Sequence, residues 1–261
     1  MIYDCFSFFN ELELLDIRLH ELGPFIDKFV LVEATKTHSR KDKLLYFNDN
    51  KSLFKEYLDK IIHVVVSDFP EGDTWVAENF QRNSILLGLK ECQDDNVILI
   101  SDMDEIPRNT IFKDYNNFQD IGFDYYVTVQ NLFYYYLNTY FDQFLWPGTF
   151  ILKYQTLKKV TPQYFKNRIK RGIKIENGGW HFSYLGGVKN IQLKLDSFAH
   201  TEFNNDKFNT ADYIEQCIKE LRTIHTRKPH NIPMVTGDAC KECFLPEYVV
   251  KNIDKFKDFI R

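Results

Sequence analysis

The segment Asn96-Val97-Ile98-Leu99-Ile100-Ser101-Asp102-Met103-Asp104-Glu105-Ile106-Pro107 determines how this chain is interpreted. An apolar run typical of a buried strand ends in three carboxylates within four residues. Clustered like charges repel one another and lose hydration at such a position, and a divalent cation would offset both costs. We therefore expect a strand that delivers an Asp-x-Asp pair to a site for a metal and a phosphate-bearing ligand. The alternative is a solvated acidic turn that caps the next helix, with Pro107 in its first turn.

The first hundred residues alternate strand-like and helix-like segments. Four apolar runs predict strands, at 3–8, 29–32, 61–66 and 97–100. Between them, a helix is predicted from the N-cap Asn10 to Glu21, with Glu13 completing a capping box, and a second helix is predicted over 75–90. Near-continuous apolar strands separated by helices indicate a parallel sheet that is covered on both faces. Ligands bind beyond the carboxyl ends of such strands, where Glu33, Asp68 and Asp102 lie.

The pattern changes after Pro107. Strands are predicted at 125–130 and 132–137 as a hairpin or sheet extension, then a turn at 146–148, a strand at 149–154, helices at 188–195 and 210–221, and one terminal helix at 246–261. The fold class is therefore α/β, with a Rossmann-like, mostly parallel central sheet flanked by helices and a second half of mixed strands. We expect a single domain over 1–261, with a nucleotide-binding half (1–107) and an acceptor-side half (108–261).

Composition restricts the classes of partner. The chain has a formal charge of −4 and a pI near 6.0, so no nucleic-acid partner is expected. Neither a signal peptide nor a membrane span is predicted, which favours a soluble, cytoplasmic protein; peripheral membrane contact and oligomeric state are left open. The pair Cys240 and Cys243, with His225 and His230 nearby, makes a zinc site conceivable, but two ordinary thiols are preferred.

Five ordered segments carry a resemblance to a known family. They are Ile2-Tyr3-Asp4-Cys5-Phe6 with Phe9-Asn10-Glu11, Val32-Glu33-Ala34 with Thr37-His38-Ser39, Glu78-Asn79-Phe80-Gln81-Arg82-Asn83, Ser101 to Pro107, and Gly179-Trp180-His181-Phe182-Ser183. Over about residues 2–203 the chain resembles glycosyltransferase family 17, the family of β-1,4-mannosyl-glycoprotein β-1,4-N-acetylglucosaminyltransferases. The resemblance implies a GT-A type fold, a UDP-sugar donor, with UDP-GlcNAc expected, Mn²⁺ or Mg²⁺ as cofactor, a glycan acceptor, and inversion at the anomeric carbon.

The same resemblance suggests roles for individual residues. Asp104 is the first choice as metal ligand, Asp102 serves the ribose hydroxyls or a metal-bound water, and His181 completes the metal shell or contacts the diphosphate. Further donor contacts are suggested at positions that also have structural explanations: Arg82 as an ion-pair partner of Glu78, Trp180 as a core residue, Asn10 as a helix cap, and Glu33 at a strand end.

Inversion requires a general base for the acceptor hydroxyl, and the sequence leaves its identity open. Glu176 is the first candidate, Glu202 the second and Asp124 the third, although for each of them the interpretation as a surface carboxylate is preferred. Two other functions compete with glycosyl transfer. A phosphatase of the haloacid dehalogenase type carries Asp-x-Asp after its first strand, whereas here the motif follows the fourth. A non-catalytic carbohydrate-binding protein would explain the aromatic residues but not the carboxylate cluster.

Overall fold

The computed structural model of the protein describes residues 1–122, 124–225, 234–237 and 245–261. Within these ranges the strands are β1 (Ile2–Phe8), β2 (Lys28–Ala34), β3 (Ile61–Val66), β4 (Val97–Asp102), β5 (Glu105–Pro107), β6 (Tyr126–Tyr134), β7 (Thr139–Lys153), β8 (Ile173–Ser183) and β9 (Met234–Thr236). They form one sheet in the order β3-β2-β1-β4-β7-β6-β8-β5, with β9 paired to β7. The sheet therefore continues from the first half of the chain into the second.

Helices pack on this sheet and connect its strands. The α-helices in the described ranges are α1 (Leu12–Leu22), α2 (Tyr46–Asp49), α3 (Thr74–Asn83), α4 (Thr110–Asp114), α5 (Tyr154–Leu157), α6 (Pro162–Lys166), α7 (Gly187–Ser197), α8 (Ala211–Glu220) and α9 (Glu247–Lys251). Short 3₁₀ helices occupy Lys51–Tyr57, Ser84–Gly88, Asn116–Phe118, Ile169–Arg171, Thr201–Phe203 and Ile253–Phe259.

The first four strands confirm the predicted α/β class. β3, β2, β1 and β4 pair in parallel, so that their carboxyl ends meet at one edge of the sheet. Both faces are covered: one cluster buries Phe6 against Leu15 of α1, and another buries Ile100 against Ile85. A parallel sheet with buried faces followed by mixed strands is the GT-A-like arrangement that the sequence predicted.

The second half corrects several predictions. The two strands expected at 125–130 and 132–137 are a single strand, β6, and the expected turn at Trp146-Pro147-Gly148 lies inside β7. Pro147 pairs with Val129 of β6, and it is accommodated because the β6–β7 register shifts between Val127 and Val129, next to this pair. The prediction of one terminal helix at 246–261 is also wrong, since the chain there forms α9 and then a 3₁₀ segment.

The start of α1 differs from the predicted capping box. Asn10 does not cap the helix; the N-cap position is Glu11, without a side-chain capping bond. The Glu11 carboxylate instead turns back and accepts the backbone N–H groups of Phe9 and Asn10, at 3.2 and 3.0 Å. No helix in the described part of the chain is both long and apolar enough to cross a membrane.

Candidate active site

A buried arginine side chain binds the backbone of the acidic turn that follows β4. Arg18, on α1, is fully buried and pairs with Asp4 of β1 at 2.6 and 2.7 Å. The same guanidinium donates to the Ser101 hydroxyl at 2.6 Å and to the carbonyl oxygens of Asp102, Met103 and Glu105 at 3.1–3.3 Å. The backbone of the turn is thereby fixed without using either aspartate side chain.

Glu105 and His181 complete the frame of the turn. The Glu105 carboxylate accepts the Asp102 backbone N–H at 3.0 Å and the Trp146 indole N–H at 2.8 Å. β5 pairs antiparallel with β8, which places His181 opposite Glu105 and Gly179 opposite Pro107. At Gly179 a Cβ atom would lie 2.3 Å from the Ile106 carbonyl oxygen, so only glycine permits this close approach.

Asp102 lies between two cations. Its carboxylate accepts Arg82 at 3.0 Å and Lys166 at 2.8 Å, and Lys166 also bonds Glu105 at 2.9 Å. Burial alone would raise the pKa of Asp102, but Lys166 and Arg82 hold it well below its usual range. Lys166 and Arg82 therefore offset much of the charge repulsion and the loss of hydration that a divalent metal was expected to offset.

Asp104 faces a lysine on one oxygen and an imidazole on the other. Lys194 of α7 lies 2.9 Å from Oδ2, and His181 Nε2 lies 3.5 Å from Oδ1. Burial would raise the pKa of Asp104, yet Lys194 and His181 hold it far below its ordinary value. The carboxylate is consequently ionised at neutral pH and can act as an oxygen ligand.

These groups line a cavity of about 730 Å³. Its size lies within the range of small-molecule and cofactor sites. The charged part comprises Glu11, Lys36, Lys43, Glu78, Arg82, Asp102, Asp104, Lys166 and Lys194, and the aromatic part comprises Phe8, Phe9, Trp75, Tyr134, Phe141, Phe144, Trp146, Tyr184, Phe198 and Phe203. Four histidines, His38, His181, His200 and His225, also contribute to the wall. The cavity combines charged side chains, suited to a phosphorylated ligand, with aromatic side chains, suited to flat apolar faces.

The sequence of this chain matches a known protein family. The model of glycosyltransferase family 17 matches residues 1–260. The chain belongs to glycosyltransferase family 17. Curated relatives include the β-1,4-mannosyl-glycoprotein 4-β-N-acetylglucosaminyltransferases of Rattus norvegicus and Homo sapiens, each 23% identical over 95% of this chain. The chain spans about half the length of these relatives, 52% in both cases.

Two solved structures show distant similarity to this family 17 chain. S. aureus TarS is 16% identical with a TM-score of 0.33, and the match covers 50% of this chain and 36% of that one. A putative glucose-1-phosphate thymidylyltransferase from Bacillus anthracis is 10% identical with a TM-score of 0.39, covering 68% and 87%.

The predicted metal and donor residues of the family 17 site separate into two groups. Asp102, Asp104, His181 and Arg82 all line the cavity. Glu33 does not line it, because its carboxylate accepts the Phe47 backbone N–H at 2.9 Å and bonds His63 at 3.0 Å. Its role is therefore to join β2 to α2 and β3.

Asn10 and Trp180 also lie outside the main cavity. Asn10 borders a small neighbouring pocket of about 40 Å³. Trp180 is buried in the core beneath the Arg108 guanidinium, which lies 4.3 Å from its ring, so the core interpretation of this residue applies.

The proposed general bases are displaced from the cavity wall. Glu176 is exposed on β8 and does not reach the cavity lining. Glu202 is also exposed, but it bonds Nδ1 of His200 at 2.7 Å, and His200 does line the cavity. Asp124, the third candidate, is exposed outside the lining. The suggested cysteine zinc site at Cys240 and Cys243 lies outside the described residues.

Several site residues were not assigned a role from the sequence. Lys194 lies 90 residues beyond Asp104, and no local pattern marks it as a partner of the acidic turn. Glu11 belongs to a family segment but has no individual role predicted from the sequence. It lines the cavity, and burial raises the pKa of its carboxyl. Gln81 and His38 likewise belong to family segments, and the structure joins them by a hydrogen bond of 2.9 Å.

Proposed function

We propose that this chain transfers a sugar, GlcNAc, from UDP-GlcNAc to a hydroxyl group of a glycan acceptor, with a divalent metal and with inversion at the anomeric carbon. The observation that carries the proposal is the Asp104–His181 pair, set among three cations in the cavity of a family 17 chain. The donor sugar and the acceptor class are taken from the activity for which the relatives are named.

Arg82, Lys166 and Lys194 suit the departure of a nucleoside diphosphate. Negative charge develops on that leaving group, and preorganised cations in a partly desolvated cavity stabilise it strongly. Burial would lower the pKa values of Lys166 and Lys194, but their aspartate partners keep both raised, so both are charged at neutral pH. Their ammonium groups already lie in the wall that a diphosphate would contact.

Asp104 and His181 fit a divalent metal. Their 3.5 Å separation is long for a hydrogen bond and close to the spacing of adjacent ligands in one coordination shell. Among the residues that the structure describes, no group of three or more His, Cys, Asp or Glu side chains is arranged for a metal. Ions such as Mg²⁺ commonly use one or two protein ligands and take the remainder from substrate phosphates and water. When bound, Mn²⁺ or Mg²⁺ would supply Lewis-acid stabilisation of the leaving diphosphate.

The aromatic lining of the cavity suits the acceptor. Trp75 and Trp146 both line it, and flat ring faces pack well against the apolar faces of pyranose sugars. His200 lies beside Trp75, with ring centroids 4.6 Å apart, and Glu202 bonds its Nδ1. We therefore place acceptor deprotonation at Nε2 of His200, with Glu202 as the residue that orients the ring.

The test is turnover with a panel of UDP-sugars in the presence of Mn²⁺, with and without glycan acceptors. UDP release should be greatest with UDP-GlcNAc and should disappear in Asp104→Ala. The anomeric configuration of the product, read by NMR, should be inverted relative to the donor. Activity that survives Asp104→Ala, or phosphate release from simple monoesters, would contradict the proposal.

A matched pair of variants tests the acceptor side. Glu202→Gln should lower transfer about tenfold or more while leaving UDP affinity unchanged, because general-base steps contribute roughly 10²–10⁴-fold. Glu176→Gln, at an exposed carboxylate outside the cavity, serves as the control and should behave like wild type.

A further inference from the structure

One wall of the cavity, formed by Phe9, Thr37, His38 and Gln81, is not used by the steps described above. His38 follows β2, and the Asp-x-Asp turn follows β4. Because β1 lies between these two strands, His38 stands about two strand spacings, or roughly 10 Å, from the Asp-x-Asp turn, while Phe9, which follows β1, stands nearer to it. This separation suits the base and the second phosphate of an extended nucleoside diphosphate.

The orientation of the Gln81 amide is fixed by the backbone. Gln81 is buried on α3, and its Nε2 donates to the carbonyl oxygens of Phe8 and Val32 at 3.4 and 3.0 Å. Carbonyl oxygens only accept hydrogen bonds, so the amide nitrogen must face them. Oε1 of Gln81 is consequently the atom that faces His38.

The amide in turn fixes the tautomer of His38. Nε2 of His38 lies 2.9 Å from Oε1 of Gln81 and must donate, since Oε1 can only accept. Burial lowers the pKa of His38, so the ring is neutral at pH 7 and Nδ1 carries a lone pair. Within the described ranges, Nδ1 takes part in no hydrogen bond and is not fully buried, and His38 lines the cavity.

We propose that His38, held in its Nε2–H tautomer by Gln81, is the residue that selects uracil, because its Nδ1 accepts the N3–H group of the base. This inference rests on the proposed function and specifies how the donor is recognised. Cytosine presents a lone pair at N3, which would face the Nδ1 lone pair and leave both acceptors unpaired. The 5-methyl group of thymine leaves N3–H unchanged, so His38 does not discriminate against it.

The test is calorimetric binding of UDP, 5-methyl-UDP, CDP and N3-methyl-UDP to the full chain with Mn²⁺. UDP and 5-methyl-UDP should bind about equally well. CDP and N3-methyl-UDP should bind roughly 10- to 100-fold more weakly, which is the effect of leaving one buried polar group unpaired. Equal binding of UDP and N3-methyl-UDP by the wild type would overturn the inference, whatever the variants do.

Variants assign the effect to His38. His38→Leu should reduce the preference for UDP over CDP to within about threefold, whereas His38→Asn, which keeps an acceptor oxygen near the position of Nδ1, should retain part of it. Gln81→Leu should also reduce the preference, because His38 is then free to change tautomer. An unchanged preference in His38→Leu would overturn the assignment while leaving the proposed function intact. Failure of the wild type to bind any of the nucleotides would instead contradict the proposed function.

Discussion

Replacing Arg18 with Met tests how the acidic turn is supported. Arg18 and Asp4 are both fully buried, so the substitution leaves a buried carboxylate without its cation. Breaking a buried pair from one side costs about 3–5 kcal/mol. Since domains of this kind are stable by about 5–15 kcal/mol, the variant should fold but lose a large fraction of its stability. Three carbonyl oxygens of the turn also lose their donor.

A double variant separates the contribution of the Arg18–Asp4 ion pair to stability from that of the other Arg18 hydrogen bonds. Arg18→Met with Asp4→Leu removes both charges, so it should cost less than the sum of the single changes, by at least about 2 kcal/mol. Urea unfolding followed by tryptophan fluorescence measures each free energy. The inferred role of Arg18 would be refuted if the losses in unfolding free energy of the two single variants simply add in the double variant. A loss below about 1 kcal/mol in Arg18→Met alone would refute it as well.

Three further predictions concern other residues of the site. Lys194→Met should tighten Mn²⁺ binding to the nucleotide-free protein by roughly tenfold, or ~1.4 kcal/mol, because Asp104 loses a competing cation, and should weaken UDP binding; titration calorimetry measures both. Gly179→Ala should destabilise the protein by about 1–3 kcal/mol in urea unfolding, because its Cβ meets the Ile106 carbonyl oxygen. Burial together with His200 and Lys194 lowers the pKa of His225 to about 4. The unfolded chain therefore binds more protons between pH 6.5 and 4, and stability falls by up to about 3 kcal/mol as pH decreases through that range; His225→Gln should remove this part of the slope.

The first half of the fold was predictable because its signals are local. Continuous apolar runs such as 61–66 and 97–100 correspond to β3 and to β4, whose two additional residues, Ser101 and Asp102, carry the strand to the acidic turn. The second half was harder to predict because long-range pairing overrides local turn signals. Pro147 and Gly148 indicate a turn, yet β7 passes through both, since a register irregularity accommodates the proline and the Gln130 side chain packs where a Cβ on Gly148 would lie.

The same distinction applies to the site. Asp102, Asp104 and His181 belong to short segments that can be recognised in the sequence. Lys194 and His200 reach the cavity only because α7 and the segment after it pack against the loop that follows β2 and the start of α3. Glu33 shows the converse error: a carboxylate at a strand end was expected in the crevice, but local hydrogen bonds to Phe47 and His63 use both of its oxygens.

The location of bound manganese tests the central claim most directly. Crystals soaked with UDP-GlcNAc and Mn²⁺ should give an anomalous peak within roughly 2.0–2.3 Å of Asp104 Oδ1 and His181 Nε2, with the diphosphate extending towards Lys166 and Lys194. The peak should be absent from Asp104→Asn crystals soaked in the same way. A nucleotide bound without contact to Asp104, or manganese at a different site, would contradict this account.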